Sequence, residues 1–297
     1  MAILSALRGL IEEPPPAYAF EVSSQGIAWA SAKEAGSQAQ FTFFNGALLD
    51  ISPAKDNVLH PEAFAHFVAG LVPPNGSRRR DAALILPDYS TRIALVDFES
   101  FPTDKAEQLA LVRFRLKKTV PFEIESAAIS FQTRQLTAKK TEALVAVTLM
   151  EIVSHYEAPF RAAGFHTGLI TTSMLSAIDL LPATGCTIAI KRNDGAITVA
   201  LCDNRFPKMM RTVAVEGDSI DEFLSILHPT MAYAEDEMPH KPTSIHISGF
   251  GEGTAFICDH LQLEFGLATE PLRSSRGTPS AYNAGLLGYL QGRENHA

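Results

Sequence analysis

The sequence predicts a duplicated two-domain α/β fold with a small inserted α+β subdomain. Three observations carry that expectation. The chain is long and apolar enough for two cores, with 297 residues of which 46% are hydrophobic. A meander of three strands, then a helix, then an apolar strand, occurs in the first half and returns in the second. Between them, near 90–165, runs a segment of different texture, ordered β-α-β-β-α.

The elements follow in order. AYAFEV and GIAWASA read as strands joined by a turn, and QFTFFNGALLD as a third, with Asn45-Gly46 as a turn signal. PEAFAHFVAGLV is an amphipathic helix and PPNGSRRRD a loop whose arginines read as a solvated run. AALILP suits a strand buried on both faces. RIALVDF is a strand, and the next helix is expected to be capped by Thr103 after Pro102. Leu109, Val112, Leu116 and Val120 have helical spacing, with a basic face beside them. AAISFQTRQL and ALVAVTLM read as strands, IVSHYEAPFRAAGF as a helix ending at Gly164, and TSMLSAIDLLPA as another helix. CTIAIKR, GAITVALCDN and RFPKMMRTVAV repeat the meander. The helix SIDEFLSILHPTMAYA, the strand TSIHIS and the helices EGTAFICDHLQLEFG and SAYNAGLLGYLQG complete the chain.

Several function classes lose support on composition. The net charge of −8 gives no global footprint for nucleic acid. Cys186, Cys202 and Cys258 are scattered and odd in number, which suits a reducing cytoplasm. No run approaches the ~18 apolar residues of a membrane span. The N-terminus, MAILSALRGLIEEPPP, lacks signal-peptide features. Ile3, Leu4, Leu7, Leu10 and Ile11 make one side of a short amphipathic helix, which packs on the domain or touches a membrane or partner. GxxxxGK[ST], GxSxG and HExxH are all absent, and no residue is assigned as catalytic or as a metal ligand.

IHISGFGEG places glycines at 249, 251 and 253, where an apolar strand turns into a helix. That turn can approach a phosphate closely or can simply be tight. Position 254 is Thr, so GxGxxG is not met.

LPDYSTRIALVDFESFP, EQLALVRFRLKKTVPF, ESAAISFQ, ALVAVTLMEIVSHYEAPFRAAGF, IHISGFGEG and NAGLLGYL together resemble the PilM family of type IV pilus assembly proteins. The resemblance spans nearly the whole chain and lies in the order and spacing of degenerate motifs. It implies an actin-like (RNase H-like) fold, related to the cytoplasmic part of the type II secretion protein GspL. It divides the chain into an N-terminal segment 1–16, a first domain 17–89 plus 166–182, an inserted subdomain 90–165 and a second domain 183–297. It implies a cytoplasmic protein at the inner face of the membrane. Its partner would be the N-terminal tail of a PilN-like inner-membrane protein, with other pilus or secretion components and no nucleic acid. The tail would dock in a groove between the inserted subdomain and the first domain, with Arg113, Arg115, Lys117, Phe122 and Phe160 as candidates.

The sequence departs from the family at two of three nucleotide elements. The family's DIGSSSVK hairpin aligns with EVSSQGIA, so Glu21 stands for Asp, Ser23 for Gly and Ala28 for Lys. Its DIGASSTN hairpin aligns with TIAIKRNDGAIT, so Ala189 stands for Asp and Lys191 for Gly. A missing carboxylate removes a partner for hydrated Mg²⁺. The expected cofactor is therefore none, or ATP with Mg²⁺ held weakly, and the expected role is a non-catalytic adaptor. Two alternatives stay open. One is an actin-like ATP-binding protein or ATPase that uses Glu21, Ser23, Ser24, Lys191, Gly249, Gly251 and Gly253. The other is a sugar-kinase-like enzyme with Asp81 or Asp88 as its carboxylate.

Overall fold

The computed structural model describes residues 16–31, 38–72, 80–137, 139–217 and 219–296. Residues 1–15 of the amphipathic segment 1–16, and Arg78 and Arg79 of the loop, lie outside the described residues.

Two five-stranded sheets share one topology. In the first, β1 (Tyr18–Ser23), β2 (Gly26–Ser31) and β3 (Gln40–Phe43) form an antiparallel meander. β4 (Arg80–Leu86) and β8 (Phe165–Thr172) add parallel strands beyond β1, giving the order β3-β2-β1-β4-β8. In the second, β9 (Cys186–Asn193), β10 (Ala196–Asp203) and β11 (Phe206–Ala214) form the meander. β12 (Ser244–Ser248) and β13 (Ala268–Pro271) extend it in parallel, giving β11-β10-β9-β12-β13. The repeat expected from element order is thus a repeat of strand order.

The fifth strand of each sheet, β8 and β13, was not anticipated. Both are edge strands with few buried residues, so neither needs the apolar run that marks a buried strand.

Helices α1 (Pro61–Leu71) and α3 (Met150–Ala162) cover one face of the first sheet. Phe20, Phe64, Tyr156 and Phe160 are fully buried there, each contributing about 1.5–3 kcal/mol by burial. The Phe20 ring lies 4.9 Å from both Phe160 and Phe165. α5 (Ile220–Glu237) and α6 (Thr254–Phe265) cover the corresponding face of the second sheet through Phe223, Ile226, Leu227 and Leu261.

Between the sheets lies a close helix pair, α4 (Ser173–Ala177) and α7 (Ala284–His296). Leu286, Tyr289 and Leu290 pack on the first sheet, and Leu287 packs with Met174 on the second. The C-terminal helix therefore lies against the first sheet, although its sequence follows the second domain.

The inserted segment forms a three-stranded antiparallel sheet from β5 (Arg92–Phe98), β6 (Ala127–Thr137) and β7 (Lys140–Leu149), with β7 central. α2 (Lys105–Leu116) covers one face through Val112 and Leu116, packed against Ala143, Val145 and Val147. Its cap is Asp104 rather than the expected Thr103. The Asp104 carboxylate accepts from the amides of Ala106 (2.9 Å) and Glu107 (3.0 Å), and a carboxylate suits a helix N-terminus. The expected β-α-β-β order holds, but the closing helix α3 buries its apolar face in the first domain's core.

Candidate functional site

Alternation along β1 puts Phe20 and Val22 in the α1/α3 core, and Ala19 and Glu21 toward α4 and α7. Along β9, Ile188 and Ile190 join the second core, while Ala189 and Lys191 face the α4–α7 pair. Two charged residues thus meet in the buried middle of the molecule. Asp88, in the short 3₁₀ turn after β4, joins them.

All three side chains are essentially inaccessible to solvent. The Lys191 Nζ is 3.4 Å from Asp88 Oδ2 and 3.9 Å from Glu21 Oε1. Each carboxylate also caps a helix. Asp88 Oδ1 accepts from the Met174 amide at 2.7 Å, in the first turn of α4. Glu21 Oε2 accepts from the Leu286 amide at 2.7 Å, in the first turn of α7, and Glu21 Oε1 accepts from the Ser173 hydroxyl. Helix N-termini expose unpaired amides and favour negative charge, which is why carboxylates survive at this depth. Burial still pushes the Glu21 carboxyl above its ordinary range, opposed by Lys191 and by its two hydrogen bonds.

The hairpin tips also touch. Asp194 sits at positive φ in the β9–β10 turn, and its Oδ1 accepts from the Ser24 amide (2.7 Å) and hydroxyl of the β1–β2 turn. Burial raises the Asp194 carboxyl, and the Ser24 bonds oppose the shift. Asp194 Oδ2 is the one carboxylate oxygen of Glu21, Asp88 and Asp194 that is buried and lacks a partner. The gap between the hairpins is therefore bridged by protein groups. The Glu21 and Asp88 carboxylates are both engaged, with Lys191 and with helix amides, and the Lys191 ammonium is the cation beside them.

The predicted nucleotide residues divide on these facts. Glu21 and Lys191 face each other across the domain boundary, and Ser24 pairs instead with Asp194. Ser23 is spent within its hairpin, its hydroxyl donating to the Gly26 carbonyl at 3.0 Å. Gly249 has φ +88, and a Cβ there would stand 2.0 Å from the Arg192 carbonyl oxygen, so it lets β12 leave the sheet close to β9. Gly251 (φ +54) and Gly253 border open space. Gly249→Ala should therefore cost the ~1–2 kcal/mol of a left-handed L-residue plus a backbone clash. Gly253→Ala should change stability by no more than ~0.5 kcal/mol. Urea denaturation distinguishes them, and equal losses would refute the structural role of Gly249. A pocket of 720 Å³ lies beside this turn, lined by Gly249, Gly251, Thr254, Ser280 and Tyr282.

Asp194 and Ser173 were not anticipated, and Asp88 was expected to be a strand-end or turn residue unless it served as a catalytic carboxylate. Asn193-Asp194-Gly195 carries a turn signal, but a turn residue says nothing about which other loop it will touch.

A second feature is a groove of 440 Å³ between the inserted sheet and the first domain. Ala128, Ser130, Leu144 and Ala146 line it from the insert, with Leu169 and Leu175 opposite. Its flanks, β6 and β8, are edge strands of separate sheets. The expected partner residues are elsewhere. Phe160 is wholly buried in the first core, so it belongs to no surface groove. Arg113, Arg115 and Lys117 lie on or just after α2, which covers the opposite face of the insert. Arg115 donates to the Asp97 carbonyl (3.3 Å), Lys117 pairs with Glu125 (3.2 Å), and Phe122 is half-buried on the α2 side. Elsewhere on the surface, Asp56, Glu151 and His155 bring ligand-type atoms within 4.8 Å of one another, with His155 Nδ1 2.8 Å from Asp56.

No protein-family model matches the sequence, and no curated protein is significantly similar to it. Solved structures do match over almost the full length, and they define the class: the chain has the actin-like ATPase fold. A Bacteroides thetaiotaomicron protein with that fold and unknown function aligns at TM-score 0.56 and 8% identity, covering 92% of this chain and 94% of its own. The PilM–PilN type IV pilus biogenesis complex aligns at TM-score 0.76 and 14% identity, covering 93% of this chain and 98% of the matched one. The cytoplasmic domain of EpsL, an inner-membrane component of the Vibrio cholerae type II secretion system, aligns at TM-score 0.51 and 13% identity, covering 94% of each chain. Among the described residues no helix is long and apolar enough to cross a membrane.

Proposed function

We propose that this chain is a non-hydrolysing adaptor of a type IV pilus or type II secretion assembly. It captures the N-terminal cytoplasmic tail of a PilN-like inner-membrane protein and is held at the inner face of that membrane through it. The groove between β6 and β8 carries this reading. It is open, mostly apolar and flanked by two sheet edges, the combination that accepts an extended peptide by main-chain pairing with side-chain pockets. The solved PilM–PilN complex supports the choice of partner at the level of a shared fold.

The nucleotide site is proposed to be relinquished. Phosphoryl transfer needs groups that position the phosphates and neutralise developing charge. Here the Lys191 ammonium supplies the neutralising charge from within, and Ser24–Asp194 closes the space between the hairpins. The pocket beside Gly249 favours a second reading, in which ATP still binds and couples to assembly.

A peptide copying the partner's tail should bind, and Ala146→Arg should weaken it at least ~30-fold, about 2 kcal/mol at 1.4 kcal/mol per decade. Arg115→Ala and Lys117→Ala should leave it unchanged. Binding lost in the α2 variants and kept in Ala146→Arg would move the interface to the helix side of the insert.

A further inference from the structure

A smaller cavity of 210 Å³ lies where β5 of the inserted subdomain meets β11 of the second domain. Its lining holds two arginines, Arg92 from β5 and Arg211 from β11, with Thr91, Thr119 and Thr212. Among the described residues no carboxylate lines it. The Nε of both arginines is buried and has no hydrogen-bond partner. Among the described residues neither guanidinium has an ion pair, whereas nearby Arg134 and Lys208 both engage Glu142, at 3.0 and 2.9 Å. Burying guanidinium donors unpaired costs free energy, and two like charges at one cavity add repulsion. Burial lowers the Arg211 pKa, and no carboxylate counteracts it. Thr119 donates to the Leu116 carbonyl at 2.9 Å, so it offers only lone pairs. Thr212 shares a 3.0 Å contact with Thr198, and either hydroxyl can be the donor, so Thr212 is free to turn its proton inward.

We propose that this cavity binds an oxyanion of the phosphate class, held by Arg92 and Arg211, which ties the inserted subdomain to the second domain. Planar guanidinium forks match phosphate oxygens in pairs, and donors arriving from two domains suit a tetrahedral anion. The volume is several times the ~30 Å³ share of one liquid water, enough for the anion and part of its hydration. The anion neutralises the like charges that meet at this cavity, so its binding stabilises the joined arrangement by linkage.

Inorganic phosphate, titrated against chloride at matched ionic strength, should raise the thermal midpoint of the full chain saturably. Arg92→Gln and Arg211→Gln should each weaken the apparent affinity at least tenfold. Both variants should match or exceed the parent in midpoint without phosphate, because each relieves repulsion; a merely structural arginine would lower it. The exposed Arg273→Gln should behave like the parent. Competition by O-phosphoserine would show the site open to a phosphoryl group on a larger molecule, and phosphate binding alone would confine it to the free ion. No saturable effect, or an effect retained in both arginine variants, overturns the proposal.

Discussion

Replacing Lys191 by Met is expected to lower the unfolding free energy by about 3–5 kcal/mol, because it strands buried charge without a partner. Met keeps most of the volume, so packing loss is a minor part. What remains is Glu21 and Asp88, both buried, facing each other across the space left by the ammonium. Adding Glu21→Gln removes one stranded charge, so the double variant should lose less than Lys191→Met alone. The pH dependence carries the same signature. The folded-state carboxyl of Glu21 is already raised by burial, and Lys191 is the chief opposing influence. A carboxyl whose folded pKa lies above its unfolded value binds more protons when folded, so stability falls as pH rises from the ordinary carboxylate range through the folded pKa. The Lys191→Met protein should therefore regain stability as the buffer is lowered from neutral toward pH ~5. Urea midpoints across that range check this. Parental stability in Lys191→Met would mean the ammonium is not holding the centre together.

Gly288→Ala should be nearly as damaging. A Cβ at 288 would lie 2.0 Å from the Ser176 carbonyl oxygen and 2.8 Å from Ala177 Cα, both main chain of α4. Gly285, one turn earlier, faces Ser173 in the same way, at 2.7 Å from its Cα. Helix backbones cannot yield as side chains do, so the loss should reach or exceed the upper end of the ~1–3 kcal/mol typical of overpacking. Displacing α7 also pulls the Leu286 amide from Glu21, so the charged centre and the helix crossing should fail together. Gly70→Ala is the control: it sits in α1 with nothing within 4 Å of its added methyl, and should gain about 0.5–1 kcal/mol. Thermal unfolding of the two variants separates a crowded crossing from general glycine effects.

Much of the fold was legible because buried strands write themselves as apolar runs. Phe20, Val22, Ile188 and Ile190 marked β1 and β9, and the order of elements exposed the duplication. The edge strands β8 and β13 were hidden because few of their residues are buried. The candidate site was legible one residue at a time. Glu21 and Lys191 stood out as replacements within hairpins, but sequence could not show that they approach each other, since 170 positions separate them. Nor could it show that Asp88 completes the group, because a carboxylate after a strand reads as a turn residue until a helix N-terminus is seen above it. The lining of the groove was missed for a related reason. Ala128, Ser130, Leu144 and Ala146 alternate with core residues and look like an ordinary half-buried strand face. The basic residues of α2 drew attention because charge is conspicuous in sequence, although α2 lies on the other side of the sheet.

Titration calorimetry of the partner's tail peptide, with and without saturating Mg-ATP, bears most directly on the claim of an adaptor with a closed nucleotide cleft. The peptide should bind with the same affinity in both conditions, and Mg-ATP alone should give no binding heat. Micromolar Mg-ATP binding that alters the affinity for the peptide would contradict that claim and establish the chain as a nucleotide-coupled switch.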